Sequence, residues 1–272
     1  MVVAHPGGVA GTMPDGRIIG AGLVATGLAL AIWGFAERDA NDTSSIAQPI
    51  SVVQLNAGSG TVEIRTGDAP TTTVQEHREF WLLNTGQAHH VEGDKLVLDS
   101  DCGWKCSADF IVTVPAGTKV TGKSGSGDVD LEGVDDIDLN AASGNVTVTG
   151  ATGAVTLDIA SGDAAVDGAA GAVDLETKSG DITATGLTGG PVKAKAASGD
   201  IDLTLKKPAA VTADGKSGDI QVHVPVTEGV KYSVDAGTKS GDREVNIPSD
   251  PTGTYVLRLS TASGDVLVDS AQ

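Results

Sequence analysis

The chain has 272 residues, a formal net charge of −18, 37 glycines and only 3% aromatic residues. Phosphate binding needs clustered Lys and Arg, so this balance excludes nucleic acid as a natural partner and disfavours anionic lipid. Cations and basic peptides remain open, with solubility through self-repulsion as the plain account of the charge. No ring falls between Ile111 and Lys231, which excludes an ordinary ring-filled core and points to a thin one of Val, Ile, Leu and Ala.

Residues 1–17 read as a cytoplasmic N-terminal tail. Ile18 to Ala36 is a run of 19 residues without a charge, close to the ~20 that cross a bilayer as a helix. Trp33 and Phe35 sit near one end, where rings favour the interface. Residues 18–36 are therefore expected to form a transmembrane helix, an uncleaved signal anchor. A cleaved signal peptide, with Ala29-x-Ala31 or Gly34-x-Ala36 as its site, is the competing reading. Arg17 and the α-amino group favour an inside N-terminus. That gives a single-pass protein of the cell membrane with residues 40–272 outside the cell.

Residues 37–49 are polar and read as a linker. Residues 50–122 read as a β-rich head. Ser51–Leu55, Thr61–Arg65, Lys95–Leu98 and Phe110–Val114 are strand-like, and Thr71–Leu83 is β-branched and aromatic. Cys102 and Cys106 are the only cysteines. Outside the cytoplasm such a pair suggests a disulfide, which would close a tight loop. A zinc site joining both thiolates to His77, His89 or His90 is the alternative. Neighbours in an extended strand point to opposite faces, so His89 and His90 would not readily share one site.

From residue 123 to 272 a tripeptide returns. It appears as Ser126-Gly127-Asp128, Ser143-Gly144-Asn145, Ser161-Gly162-Asp163, Ser179-Gly180-Asp181, Ser198-Gly199-Asp200, Ser217-Gly218-Asp219, Ser240-Gly241-Asp242 and Ser263-Gly264-Asp265. The serines lie 17, 18, 18, 19, 19, 23 and 23 residues apart. A near-constant period of this size means one structural unit stacked on itself. Each unit holds two strand-length segments of alternating pattern. In four successive units a second glycine (Gly133, Gly150, Gly168, Gly186) follows six residues after the first. Two corners per repeat fit a parallel β-solenoid, one coil per repeat, better than an antiparallel meander. The fold class is thus all-β, a parallel β-solenoid-like repeat with a β-rich N-terminal head.

At the corner, Gly permits positive φ, while Ser and Asp can hold the turn by bonding local amides. Stacked carboxylates about 5 Å apart repel. Asn145 removes one charge, and Lys178, Lys216 and Lys239 stand beside three serines, where they could neutralise neighbours. An aspartate row also offers oxygen ligands, so calcium is the sharper reading. The G-G-x-G core of the known calcium β-roll repeat is missing, however, and no cofactor is expected.

Phe110-Ile111-Val112-Thr113-Val114-Pro115-Ala116-Gly117-Thr118, then Ser124-Gly125-Ser126-Gly127-Asp128-Val129 and the later corners, resemble a bacterial “putative adhesin” family with β-strand repeats. This is a domain of unknown function on cell-envelope proteins. The resemblance covers about residues 50–272. It implies a surface location and an adhesin-like role, and supplies no catalytic residue.

No Ser/His/Asp or Cys/His constellation stands out in the sequence. A carbohydrate-active β-helix enzyme would cluster its acids and carry aromatic platforms; here the acids are spread at repeat positions. The expectation is a non-catalytic, membrane-anchored extracellular protein presenting an acidic surface for adhesion or envelope sensing to an unidentified surface partner. A calcium or cationic-peptide binding module is the alternative.

Overall fold

The computed structural model describes residues 38–80, 86–100 and 107–271. The transmembrane helix expected over 18–36 and the Cys102–Cys106 disulfide lie outside the described residues. Among the described residues no helix is long and apolar enough to cross a membrane.

Strands β1 (Arg38–Ile46), β2 (Val52–Ser59), β3 (Val62–Gly67), β4 (Thr72–Phe80), β5 (His89–Glu92), β6 (Lys95–Asp99) and β7 (Ser107–Pro115) come first. The repeats supply β8 (Lys119–Ser126), β9 (Val129–Glu132), β10 (Ile137–Ser143), β11 (Val146–Thr149), β12 (Val155–Ser161), β13 (Ala164–Asp167), β14 (Val173–Ser179) and β15 (Ile182–Leu187). They continue with β16 (Val192–Ser198), β17 (Ile201–Leu205), β18 (Val211–Ser217), β19 (Ile220–Val224), β20 (Tyr232–Thr238), β21 (Arg243–Val245), β22 (Tyr255–Thr261) and β23 (Val266–Ser270).

These strands form two sheets, one of 12 strands and one of 11. Each Ser-Gly-Asp corner carries the chain from one sheet to the other, so each repeat is one coil. Pairing between coils is parallel and in register: Ile137, Leu139 and Ala141 lie beside Val155, Leu157 and Ile159, which lie beside Val173, Leu175 and Thr177. Period-two alternation sends these residues inward, and the buried column fills the space between the sheets. Val134, Ala151, Ala169 and Leu187 close its second edge. The offset between coils grows from 18 residues at Asp167–Thr185 to 19 at Val173–Val192, so the second corner between them takes up the extra residue.

The head is not set apart from the repeats. β2 pairs with β8 and β3 with β9, so residues 50–122 share both sheets with residues 123–272. Coil order also departs from chain order at both ends. The first coil (β2, β3) lies between the coil of β6 and β7 and that of β8 and β9. The last coil (β22, β23) lies between the coil of β18 and β19 and that of β20 and β21. Every coil offers the same inward pattern of small aliphatic residues, so any coil can seat on any other. The longer connections of the last two units allow the chain to step over a slot and return.

The polar linker expected over 37–49 is corrected: Arg38–Ile46 is a strand, paired antiparallel along all of β4. Its sequence lacks an apolar stripe because it is an edge strand whose partner, not a core, fixes its conformation. β4 in turn runs antiparallel to β7, and β5 antiparallel to β6. These antiparallel strands close one end of the parallel rod.

The corner glycines are doubly constrained. Gly180 has φ +137°, and a Cβ there would stand 2.0 Å from the Gly162 carbonyl oxygen. Gly150, at the second corner, has φ +65°, and a Cβ there would meet nothing within 4 Å. Gly150→Ala is therefore expected to cost only the backbone term, about 1 kcal/mol, and Gly180→Ala at least ~2 kcal/mol. Urea unfolding of the two variants measures both; equal losses would contradict the stacking argument.

Candidate functional site

The Ser-Gly-Asp corners form one straight row along the rod. Within it the amides alternate in direction. Gly180 N–H donates to the Ser198 carbonyl (3.0 Å) and Ile182 N–H to the Asp200 carbonyl (2.8 Å), both on the following coil. The Asp181 N–H between them points the other way and donates to Asp163 Oδ1 at 2.8 Å. The same bond recurs from Asn145 to Asp128, Asp163 to Asn145, Asp200 to Asp181 and Asp219 to Asp200 at 2.7–3.0 Å. It then follows space rather than sequence: Asp265 donates to Asp219 and Asp242 to Asp265, each at 2.7 Å. At the other end Asp109 Oδ1 accepts from Thr61 N–H (2.7 Å), which extends the pattern into the head.

The expected bonds within each turn are thus replaced by bonds between turns. At the second corner the backward-pointing amides of Thr152, Ala170 and Thr188 meet carbonyls of the preceding coil, whereas at the Ser-Gly-Asp corner a side-chain oxygen supplies the acceptor. Asn145 serves as well as Asp because only Oδ1 is used. Lys178, Lys216 and Lys239 make no ion pair among the described residues. Ion pairing falls on other lysines: Lys193 with Asp174 (3.4 Å) and Lys195 with Glu176 (3.8 Å), both on the exposed face of the 11-stranded sheet. Among the described residues no group of three or more His, Cys, Asp or Glu is placed to hold a metal ion.

Sequence reasoning missed a cluster at the closed end of the rod. Glu76 of β4 and His89 of β5 are buried, from opposite sheets, with Arg78 beside them. His89 Nδ1 meets Glu76 Oε2 at 2.6 Å and His89 Nε2 meets Ser44 Oγ of β1 at 2.8 Å. Glu76 Oε1 accepts from the Ala88 amide (3.0 Å) and forms an ion pair with Arg78 Nε. Arg78 reaches Asp42 of β1 at 2.6 Å and donates to the Gly86 carbonyl. Ser44, His89 and Glu76 stand in the order of a proton relay. Yet the carboxylate is shared with a guanidinium that also holds Asp42 and the Gly86 carbonyl, and Ser44 sits within a paired strand. The cluster works as an ionic clip that fastens β1 and β5 across the mouth of the core. Its members are scattered over three strands and separated by up to 45 residues, and no local spacing announces them.

The three histidines are not brought together. His77 bonds Asn41 at 2.6 Å, His89 is buried, and exposed His90 meets Glu92 at 3.2 Å. His89 and His90 do face opposite sides, as alternation requires. Tyr232, buried at the far end, donates to the Pro225 carbonyl at 2.9 Å, and burial pushes its phenol up to about 12. On the outer face of β18, β20 and β22, a shallow groove of about 510 Å³ is lined by Asp214, Asp235, Lys239, Arg258 and Ser260.

This arrangement defines a β-repeat scaffold whose corner carboxylates are committed to the backbone. The chain matches the Toastrack DUF4097 family over residues 50–269 and belongs to that family. Its fold is similar to a “putative adhesin” from Bacteroides fragilis NCTC 9343, at 17% identity and a TM-score of 0.52, covering 85% of this chain and 97% of that one. It is also similar to a “putative adhesin” from Parabacteroides distasonis ATCC 8503, at 16% identity and a TM-score of 0.53, again covering 85% and 97%. No curated protein matches the chain.

Two outcomes follow. Asp181→Asn keeps the acceptor for Asp200 N–H and is expected to leave stability unchanged within ~0.5 kcal/mol, whereas Asp181→Ala costs about 1 kcal/mol or more; chemical denaturation separates them. For Glu76, burial alone would push the carboxyl up. The bonds from His89 and Ala88 and the charge of Arg78 outweigh burial and hold it below the usual carboxylate range. A lowered folded value means stability that is present above the unfolded value near 4.5 and is lost as pH falls through the folded one. Glu76→Gln should therefore lower the Tm strongly at pH 7, by a loss of ~3 kcal/mol, and much less at pH 3. An equal loss at both pH values would refute the clip.

Proposed function

We propose that the chain is a membrane-anchored β-repeat protein of the cell surface, adhesin-like and non-catalytic. In this reading residues 18–36 are the anchor and residues 40–272 stand outside as a rigid acidic rod for adhesion or envelope sensing. The observation that carries it is the commitment of the corner side chains: from Asp128 along the row to Asp265, each Oδ1 accepts a backbone amide of the coil stacked next to it. The repeated motif is thus spent on building the rod, which leaves its flat faces and its free end to meet a partner. Family membership and the fold of the adhesin-like structures support the same reading. The 19 uncharged residues of 18–36 have the length of a span.

Protease treatment of intact cells tests location. External protease is expected to remove residues 40–272 without lysis; protection until lysis would overturn the placement. Attachment is tested with the whole chain, because deleting residues 123–272 would strip β2 and β3 of β8 and β9. Cells that lack the protein are expected to lose attachment to the surface that cells with it colonise, and unchanged attachment would refute the adhesive role.

A further inference from the structure

The two ends of the rod are finished differently. At the end formed by β1, β4 and β5, inward-facing Glu76, Arg78 and His89 replace the aliphatic core, and Asp42 and Ser44 pin the last strand. Inward charges of this kind keep a sheet end from adding further strands. Among the described residues the opposite end has no inward-facing charge of this kind. There β20 pairs only with β22, and β21 only with β23, so both are edge strands.

The loop after β21 covers the start of the β20 edge. Ser249 bridges Tyr232, and Ser249 Oγ accepts from Val234 N–H at 3.2 Å. From Asp235 to Lys239 no strand lies along this edge among the described residues. The core beneath is also open. Val234, Ala236 and Val245 are only partly buried. Their counterparts two coils inward, Val211, Ala213 and Val222, are buried to within 1%. An aliphatic layer and an unpaired edge thus coincide at this tip.

The open segment reads Asp235-Ala236-Gly237-Thr238-Lys239. Laid antiparallel on itself about Gly237, it places Asp235 opposite Lys239 of the second copy, twice, and Ala236 opposite Thr238. Alternation puts exposed Asp235 and Lys239 on the outer face and Ala236 and Thr238 on the inner face, so each pair meets on its own side of the joined sheet. A two-fold contact must be self-complementary, and this segment is.

We propose that this tip is a docking surface for a second copy of the chain, joined edge to edge by antiparallel pairing of Asp235–Lys239. The two rods then run in line with their N-terminal ends facing apart. With the N-terminal segments anchored, as in the function proposed above, the pairing links two opposed membranes.

Analytical ultracentrifugation of the full chain in detergent tests the contact. The wild type is expected to dimerise. Asp235→Lys and Lys239→Glu each set like charges against each other at both pairs and are expected to weaken the dimer by about tenfold or more. Mixing these two variants restores opposite charges at every pair and is expected to restore association. Both substitutions are exposed, and unchanged thermal melting verifies the fold. Association through residues 18–36 would ignore the substitutions. A wild type that stays monomeric, or variants that associate as the wild type does, overturns the proposal.

Phosphatidylcholine vesicles carrying the full chain separate this contact from the broader adhesive role. Clustering of vesicles with one another, lost in each variant, supports tip pairing. Vesicles that bind cells lacking the protein but never cluster with one another overturn tip pairing and leave surface adhesion standing.

Discussion

In each coil the N–H of the corner aspartate points back along the rod and meets a side chain rather than a carbonyl. Amides of a parallel strand alternate between the coil before and the coil after, and those on either side of the aspartate pass forward to carbonyls of the next coil. Left alone the aspartate N–H would be an unsatisfied polar group on every rung. The aspartate of the preceding coil answers it with Oδ1, and the glycine between Ser and Asp lets two corners approach until a Cβ would collide with the carbonyl below. The motif is therefore a relation between coils rather than a property of one turn. It sets the spacing of the coils, their register and the inward direction of every aliphatic side chain that follows. It also explains why the row tolerates its own repulsion: each carboxylate faces an amide dipole. Lys193 and Lys195 pair with Asp174 and Glu176 on the sheet face and leave the corner row to its amides and to water.

Much of this was visible in the residues themselves. The period, the two corners, the parallel coils and the thin aliphatic core follow from Ser-Gly-Asp, from Gly133, Gly150, Gly168 and Gly186, and from period-two alternation. What stayed hidden was whatever depends on which coil lies next to which. Leu257 and Leu259 would fit equally well at the end of the rod, and they lie instead between Val211 and Ala213 on one side and Val234 and Ala236 on the other. Interchangeable coils carry no label of their order. Strand β1 was hidden for the opposite reason. Asp39, Asn41, Asp42 and Thr43 have no core-directed pattern, because the strand is held by pairing and by two polar contacts to Arg78 and His89. The Glu76 cluster was invisible because it gathers residues from three strands and two sheets.

The exchanged coils at both ends have a common consequence. In a solenoid stacked in chain order, the first and last strands are edges, and edges fray first. Here β2 and β3 near the start have neighbours on both sides, and so do β22 and β23 near the end. Of the strands left at the edges, β5, β20 and β21 belong to interior segments, tethered to the rod by chain on both sides, and β1 is held by β4 along its whole length. Releasing the last coil requires breaking the ladder to β18 and β19 and the ladder to β20 and β21 together. The same holds at the other end, where β1, β4 and β5 add a further layer and an ionic clip.

This arrangement bears on a rod loaded along its axis. Strands lie across that axis, so tension opens the ladders between coils one after another rather than shearing a whole strand at once. A rod of this kind is weakest where a coil has one neighbour and a free chain end. The exchange of coils removes that combination from both ends, since no described edge strand carries the outermost coil-forming residues of the chain. The polar plug at Glu76, Arg78 and His89 protects the end that carries β1 from unwanted strand addition, while the partly open layer of Val234, Ala236 and Val245 leaves the opposite end able to gain a neighbour. The two ends are thus unlike, and the chain builds this asymmetry from the same coil throughout by changing only what lies against the first and last rungs.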